Sequence, residues 1–220
     1  TWTLADLQNA VAPPTAGVLS LNAHYDHYRA LPADQNASGN ASQLFTSSML
    51  AGSALGGRYA FTMGCHAGYS VSDIVIGPSD ARRLDWPQAY GLGGAVYAAN
   101  TGFGYGDTAA VAYSERLMAN LAKRLDGSLT AGQALLYAVN DYAGSAGGLL
   151  GAYDEKVISQ ATFYGLPMYR VGEFAPAVPD PVLSTPTPGT GYSTTSLSID
   201  STFALAGLRL LRGDSSRRQG

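Results

Sequence analysis

Short apolar runs closed by polar or glycine-bearing turns alternate along this chain with stretches of helical spacing, the pattern of an α/β protein. Leu4, Leu7, Ala10 and Val11 make one apolar face behind Thr3 as N-cap, with Asp6 three residues on; Pro13-Pro14 ends that helix. Residues 17–23 read as a strand, 32–42 as a polar loop, and 41–54 as a helix with Leu44, Phe45, Ser48 and Leu55 near its inward face. A second strand is expected at 59–63. The apolar 74–76 and the turn Pro78-Ser79-Asp80 lead to a helix over 81–90, interrupted at Pro87. After a third strand at 94–99 and a loop at 100–107, the spacing of Val111, Leu117, Met118, Leu121 and Leu125 predicts a helix over 108–125. Thr130, with Gln133 at the capping-box position, opens a helix to 142; 144–151 is a Gly/Ala loop and 162–171 the last strand. The fold expected is a three-layer α/β sandwich around a mostly parallel central sheet. Its strands, near 17–23, 58–63, 94–99 and 162–170, should all run the same way.

Composition changes past residue 172. Pro176, Pro179, Pro181, Pro186 and Pro188 mark 173–192 as a linker, and the weak alternation in 193–220 reads as the start of a β domain or a tail. Residues 1–172 are then one domain with enough chain for a sizeable core. Charged residues are 13% of the chain, against roughly 25% in typical soluble domains. With a net charge of −3 and no basic run, nucleic acid is excluded as an expected partner. No apolar run approaches the roughly 20 residues needed to span a bilayer. The single cysteine cannot form an internal disulfide. Lacking an initiator methionine or a leader at Thr1, the chain is expected to be a piece of something longer.

Chemistry concentrates in two places. Residues 59–73, YAFTMGCHAGYSVSD, hold the only cysteine, Cys65, and His66; residues 17–31, GVLSLNAHYDHYRAL, hold the other two histidines, His24 and His27. Each is an apolar strand followed by a polar turn, and open α/β sheets place their sites just past strand C-termini. A cysteine and a histidine at two such ends make a candidate thiolate–imidazole dyad. A lone cysteine is more often an inert core residue, but Gly64 and Gly68 on either side argue against simple core packing.

A strand ending in His followed by one ending in Gly-Cys-His-x-Gly resembles the caspase-like cysteine peptidases, and more closely their gingipain-type branch. NTGFGYGD at 100–107, TAGQAL at 130–135 and YDEKVISQATFYGLPMYRV at 153–171 extend the resemblance over residues 15–171. It implies a cysteine endopeptidase with Cys65 as nucleophile and His24 as general base and acid. Oxyanion donors would be backbone N–H groups at Gly64 and His66, beside the nucleophile, and at Tyr25, just after the histidine. His66 itself reads as structural. The family has glycine where Tyr25 stands, so a Cβ here narrows the space beside the dyad. It also has Phe-Gly-Asp-Pro where this chain has Tyr164-Gly165-Leu166-Pro167. Two further strands precede the first in that family and nothing in residues 1–16 supplies them, which implies an exposed sheet edge, or an N-terminal fragment or second chain covering it. A peptide or protein substrate, no cofactor, and an extracellular or cell-surface location follow from the same resemblance; a structural calcium ion has no motif to support it.

Other readings stand beside this one. His24-Tyr25-Asp26-His27 resembles part of the metallo-β-lactamase ligand motif, with Asn22 where its first histidine would be, but only His66 remains to complete such a site. A non-catalytic, surface-displayed binding domain of the same fold is a third reading. Gly102-x-Gly104-x-Gly106 lacks the dinucleotide spacing, and Asp107 would sit where phosphate charge falls; Asn100, Thr101 and Gly102 are better read as a substrate-groove loop. Asp26, Asp73 and Asp107 follow predicted strand ends, and an acidic pocket there would select arginine or lysine before the scissile bond. Asp73 and Asp107 are equally suited to capping turns or helices. The sequons at Asn36 and Asn40 and the Arg212-Gly213-Asp214 tripeptide are short patterns that carry little weight.

Overall fold

The apolar runs around Leu19, Ala60 and Ala98 do become neighbouring strands. The computed structural model describes residues 3–11, 17–31, 44–76, 84–147 and 149–172, with the backbone alone at 73 and 74. All of these belong to one unit, Thr1–Phe174. The loop at 32–42 with its sequons, the Pro78 turn, the linker at 173–192 and the segment 193–220 lie outside the described residues.

The order is α1 (Leu4–Val11), β1 (Val18–Ser20), β2 (His24–Tyr25), β3 (Arg29–Leu31), β4 (Phe45–Thr46), α2 (Ser47–Leu50), β5 (Tyr59–Phe61), α3 (Asp73–Ile76), α4 (Trp86–Leu92), β6 (Val96–Asn100), α5 (Tyr113–Ala122), α6 (Ala131–Ser145), α7 (Ala152–Gln160) and β7 (Ala161–Tyr164). One sheet has the order β1-β5-β6-β7, and a small antiparallel sheet has the order β2-β3-β4. Strands β1, β5 and β6 are parallel, in the register Val18 to Tyr59 and Tyr59 to Val96. The protein is therefore α/β with a mostly parallel main sheet. Among the described residues no strand pairs with the outer edge of β1, and no helix is long and apolar enough to cross a membrane.

Strand alternation divides the core in two. Tyr59, Phe61, Val96 and Ala98 pack with Leu117, Met118 and Leu121 of α5, Ala134 and Ala138 of α6, and Val157 of α7. Ala60, Tyr97 and Ala99 pack with Leu7 and Val11 of α1, Trp86 and Tyr90 of α4, and Tyr25, Ala30 and Phe45 of the small sheet.

The last strand overturns the expectation of an all-parallel sheet: β7 runs antiparallel to β6, with Asn100 opposite Ala161 and Tyr97 opposite Tyr164. The cause is α7, a helix the sequence reading did not include. Its final carbonyl, Gln160, accepts the Thr101 N–H at 2.9 Å. The helix thus delivers the chain to the C-terminal end of β6, and a strand starting at Ala161 can only run back. It stops at Tyr164 rather than reaching 170, because Gly165 turns with φ +111°.

Other elements differ as well. The helix expected over 41–54 is only Ser47–Leu50, because Phe45 is drawn into the ladder opposite Ala30 and buried beside Trp86. Within the stretch expected as helix from 108, α5 begins at Tyr113; Asp107 Oδ1 accepts the N–H groups of Ala109 and Ala110 and holds a turn there instead. Ile74–Ile76 is helical. Pro87 does not interrupt α4 but lies in its first turn, where its missing N–H costs nothing; Asp85 caps that helix in a box with Gln88. The α6 box of Thr130 and Gln133 forms as the sequence predicts, as does the Thr3–Asp6 pairing at α1.

Burial pushes the phenols of Tyr25, Tyr59, Tyr90 and Tyr97 up from the ordinary tyrosine value. A pKa raised in the folded state means that stability is full below the unfolded value of about 10 and falls as pH rises beyond it, because the unfolded chain then releases protons that the fold retains. Above roughly pH 10 the protein should therefore unfold cooperatively. Absorbance at the phenolate band should rise together with loss of the circular dichroism signal. Tyrosine ionisation completed with the fold intact would contradict this.

Candidate active site

Stretches 17–31 and 59–73 meet at the C-terminal ends of β1 and β5. The first stitch is polar. Asn22, just past β1, accepts the Met63 N–H at 3.2 Å and the Thr62 hydroxyl at 3.4 Å. From the other neighbouring strand, Asn100 Nδ2 donates to the Met63 carbonyl at 2.9 Å. Two asparagine side chains thus take both backbone groups of Met63, standing in for the ladder that has ended at Phe61. The second stitch is steric. A Cβ on Gly64 would lie 2.2 Å from Tyr25 Cδ2. The Tyr25 ring therefore rests on bare backbone, and no larger residue fits at 64. Tyr25 follows His24 and Gly64 precedes Cys65, so the two contacts bring the backbones at His24 and Cys65 to one edge of the sheet; along β2 the His24 side chain points opposite to that of Tyr25.

The hairpin that carries His24 is fixed from beneath. Trp86, fully buried, donates its indole N–H to the Asp26 carbonyl at 2.9 Å and its backbone N–H to the His27 carbonyl at 3.0 Å. Its ring meets Tyr25 edge-on at 5.3 Å. A buried indole finds a partner for its N–H in this way. Tyr25 itself donates to the Leu21 carbonyl at 3.0 Å. His24 is left exposed, and its ring makes no hydrogen bond among the described residues.

The turn that carries Cys65 is tied down at every residue after it. His66 adopts φ +56°, a left-handed conformation unusual for a side chain with a Cβ. Its backbone N–H donates to the Gly102 carbonyl at 2.6 Å, and its Nδ1 lies 3.3 Å from the Thr101 carbonyl oxygen, which can only accept. The Tyr97 hydroxyl donates to Ala67 O at 3.1 Å and the Tyr164 hydroxyl to Gly68 O at 2.6 Å, while Gly68 N–H donates to Asn100 O at 2.8 Å. The sulfur of Cys65, half-buried, receives the Gly104 N–H at 3.4 Å. Gly104 must be glycine, because a Cβ would lie 1.9 Å from the Met63 carbonyl oxygen.

Several expected roles change. The N–H of Gly64 donates to the Thr62 hydroxyl at 3.0 Å and that of His66 to Gly102, so neither is free to bind an oxyanion. The N–H of Tyr25 is differently placed. Asp26 N–H bonds to Arg29 O, so by the alternation of an antiparallel ladder the Tyr25–Ala30 pair is a non-hydrogen-bonded one, and the Tyr25 N–H points away from β3. Asp26 is no open acidic pocket: its carboxylate pairs with Arg29 and accepts the N–H groups of Tyr28 and Arg29. Asn100 is fully buried and supports Met63 instead of lining a groove. Thr101 and Gly102 brace His66. Asp73 opens α3, and Asp107 holds its turn.

Among the described residues no three His, Cys, Asp or Glu side chains converge on a common point. His27 lies against Tyr28, with its Nε2 buried and without a hydrogen-bond partner among the described residues. Sequence reasoning missed Trp86, Tyr97 and Tyr164, whose signal is only that of aromatic residues in apolar runs. Asn22 was noted for the histidine it replaces, not for what it bonds. Comparison of the chain with protein-family models, with curated proteins and with solved structures returns no match.

Gly64→Ala should destabilise the fold by about 1–3 kcal/mol, the range for overpacking a filled site. The double variant Gly64→Ala with Tyr25→Leu should recover part of that loss. Urea unfolding of the single and double variants measures both, and additive losses would contradict the contact.

Proposed function

We propose that this chain is a cysteine endopeptidase of caspase-like, gingipain-type architecture, its sheet sandwiched between two helical layers. The observation that carries the reading is the double stitch, Asn22 to Met63 and Tyr25 to Gly64, which brings His24 and Cys65 to the C-terminal ends of two adjacent parallel strands. The exposed ring of His24, which makes no hydrogen bond among the described residues, and the glycine-rich backbone around the sulfur suit a dyad that closes on a substrate lying between its members.

In this reading His24 takes the thiol proton and the sulfur attacks the carbonyl carbon of the scissile peptide. The tetrahedral oxyanion is held by the N–H groups of Cys65 and Tyr25. Among the described residues these two N–H groups have no backbone acceptor, whereas Gly64 and His66 have spent theirs. The imidazolium then gives its proton to the leaving amine, and the C–N bond breaks to leave a thioester. Water, deprotonated by His24, hydrolyses the thioester and restores the thiol. The Gly104 N–H, directed at the sulfur, presents the positive end of its dipole to the attacking atom. Tyr25, where a glycine stands in the resembling family, is no obstruction to this chemistry, because its ring is turned down onto Gly64 and buried.

Two substitutions test the assignment. Cys65→Ala should abolish hydrolysis of a mixed peptide library, and His24→Ala should lower kcat by about 10²–10⁴-fold, the usual contribution of a general acid–base. A thiol-alkylating reagent should inactivate the protein and a chelator should not. Activity lost to chelator but retained in Cys65→Ala would favour a metal hydrolase. No hydrolysis under any condition would leave a binding domain as the better account.

A further inference from the structure

We infer that Phe103, His66 and Tyr69 form a preassembled aromatic ledge beside Cys65 that selects an apolar or aromatic side chain of the peptide substrate next to the scissile bond. The inference rests on the peptidase reading and departs from the acidic pocket that the sequence suggested.

The ledge is unusual in being both exposed and fixed. Phe103 is 58% exposed and Tyr69 49%, although each has a ring partner in His66. Phe103 meets His66 edge-on with centroids 4.7 Å apart, and Tyr69 meets it at 6.4 Å, also steeply inclined. Backbone bonds set the positions of all three. Gly102, just before Phe103, accepts the His66 N–H, and Gly104, just after it, donates to the Cys65 sulfur. Tyr69 N–H donates to the His66 carbonyl at 3.0 Å. Phe103 is thus held between the two contacts that join its loop to the Cys65 turn, and its own ring is left in water. The left-handed backbone at His66 is what turns the imidazole toward Thr101 and Phe103.

Charge around this edge favours an apolar occupant. The Asp26 carboxylate is committed to Arg29 and to two N–H groups, and Asp107 holds the Ala109 and Ala110 N–H groups. Lys156 is taken up over the rings of Tyr105 and Tyr153. An arginine or aspartate side chain arriving at the ledge would lose hydration against rings and find Asp26, Asp107 and Lys156 already engaged. An apolar side chain would remove ring surface from water on rings that are already ordered, with little conformational cost.

The test uses four peptidyl acyloxymethyl ketones, identical except for phenylalanine, leucine, arginine or aspartate at the position next to the ketone. Each alkylates a thiolate, with the carboxylate departing, and intact-mass spectrometry follows the adduct on the full chain. Rates are normalised to iodoacetamide, which reports thiol reactivity alone. The phenylalanine and leucine reagents should react about tenfold or more faster than the other two, the scale on which an apolar contact discriminates. In Phe103→Ala the phenylalanine-to-arginine ratio should fall by a similar factor, while Phe103→Leu should retain most of it. An arginine or aspartate reagent that reacts as fast as the apolar ones, with peptides still cleaved, would overturn the ledge and leave the peptidase reading standing. An apolar preference unchanged in Phe103→Ala would overturn it too. If all four react no faster than iodoacetamide reactivity predicts and no peptide is cleaved, the peptidase reading fails and the ledge falls with it.

Discussion

A ring lying on bare backbone, Tyr25 on Gly64, is the contact through which the rest of this site is set. It couples two segments far apart in sequence, one rooted in β1 and the hairpin after it, the other in β5 and the turn after it. Without it the hairpin bearing His24 would be held by Trp86 and its own ladder but not referenced to Cys65. Asn22 adds a polar contact to Met63, yet a single asparagine–backbone bond contributes only about 1 kcal/mol. Close packing of a large ring against a residue with no side chain is stiffer, because no rotamer of a Cβ-bearing residue could accommodate it.

The turn beyond Cys65 depends on buried polar groups instead of apolar area. Asn100 reaches Met63, and the hydroxyls of Tyr97 and Tyr164 reach Ala67 and Gly68. Asn100 stands at the C-terminal end of β6, whereas Tyr97 and Tyr164, opposite each other further down the ladder, reach the turn from one face of the sheet. Such a network is costly if any member is lost, because a buried carbonyl is then left without a partner. Burial pushes the phenols of Tyr97 and Tyr164 up from the ordinary tyrosine value, and either one deprotonated could no longer donate to the turn. Stability and the geometry of the candidate nucleophile are in this way tied to the same groups.

How much of this was legible in the sequence follows from the range of the interactions involved. Local chemistry read well: the Thr130–Gln133 box, the Thr3–Asp6 pair and the parallel strands around Leu19, Ala60 and Ala98 depend on residues near one another or on simple alternation. Elements decided by tertiary contact did not. Phe45 has the spacing of a helix residue but pairs with Ala30 because Trp86 offers it a buried place. The direction of β7 follows from where α7 ends, with Gln160 bonded to Thr101 beside the end of β6, which no periodicity announces. Within the site, Cys65, His24 and the glycines around them stand out by residue type, whereas Asp26 and Asn100, expected in a substrate pocket, bond within the fold. A carboxylate after a strand looks the same in sequence whether it faces a substrate or closes a hairpin on Arg29, and only the folded arrangement distinguishes the two.

The central claim is that Cys65 and His24 act together across one edge of the sheet, with Cys65 and Tyr25 N–H groups as oxyanion donors. A crystal structure of the protein with a peptidyl aldehyde tests it most directly, because the hemithioacetal places an oxygen where the oxyanion forms. The account predicts a bond from Cys65 Sγ to the aldehyde carbon. It also predicts the hemithioacetal oxygen within hydrogen-bond distance of both N–H groups, and a His24 ring nitrogen facing the adduct. An adduct whose oxygen points to solvent with His24 turned away, or electron density for an unmodified Cys65 in a saturated crystal, would contradict it.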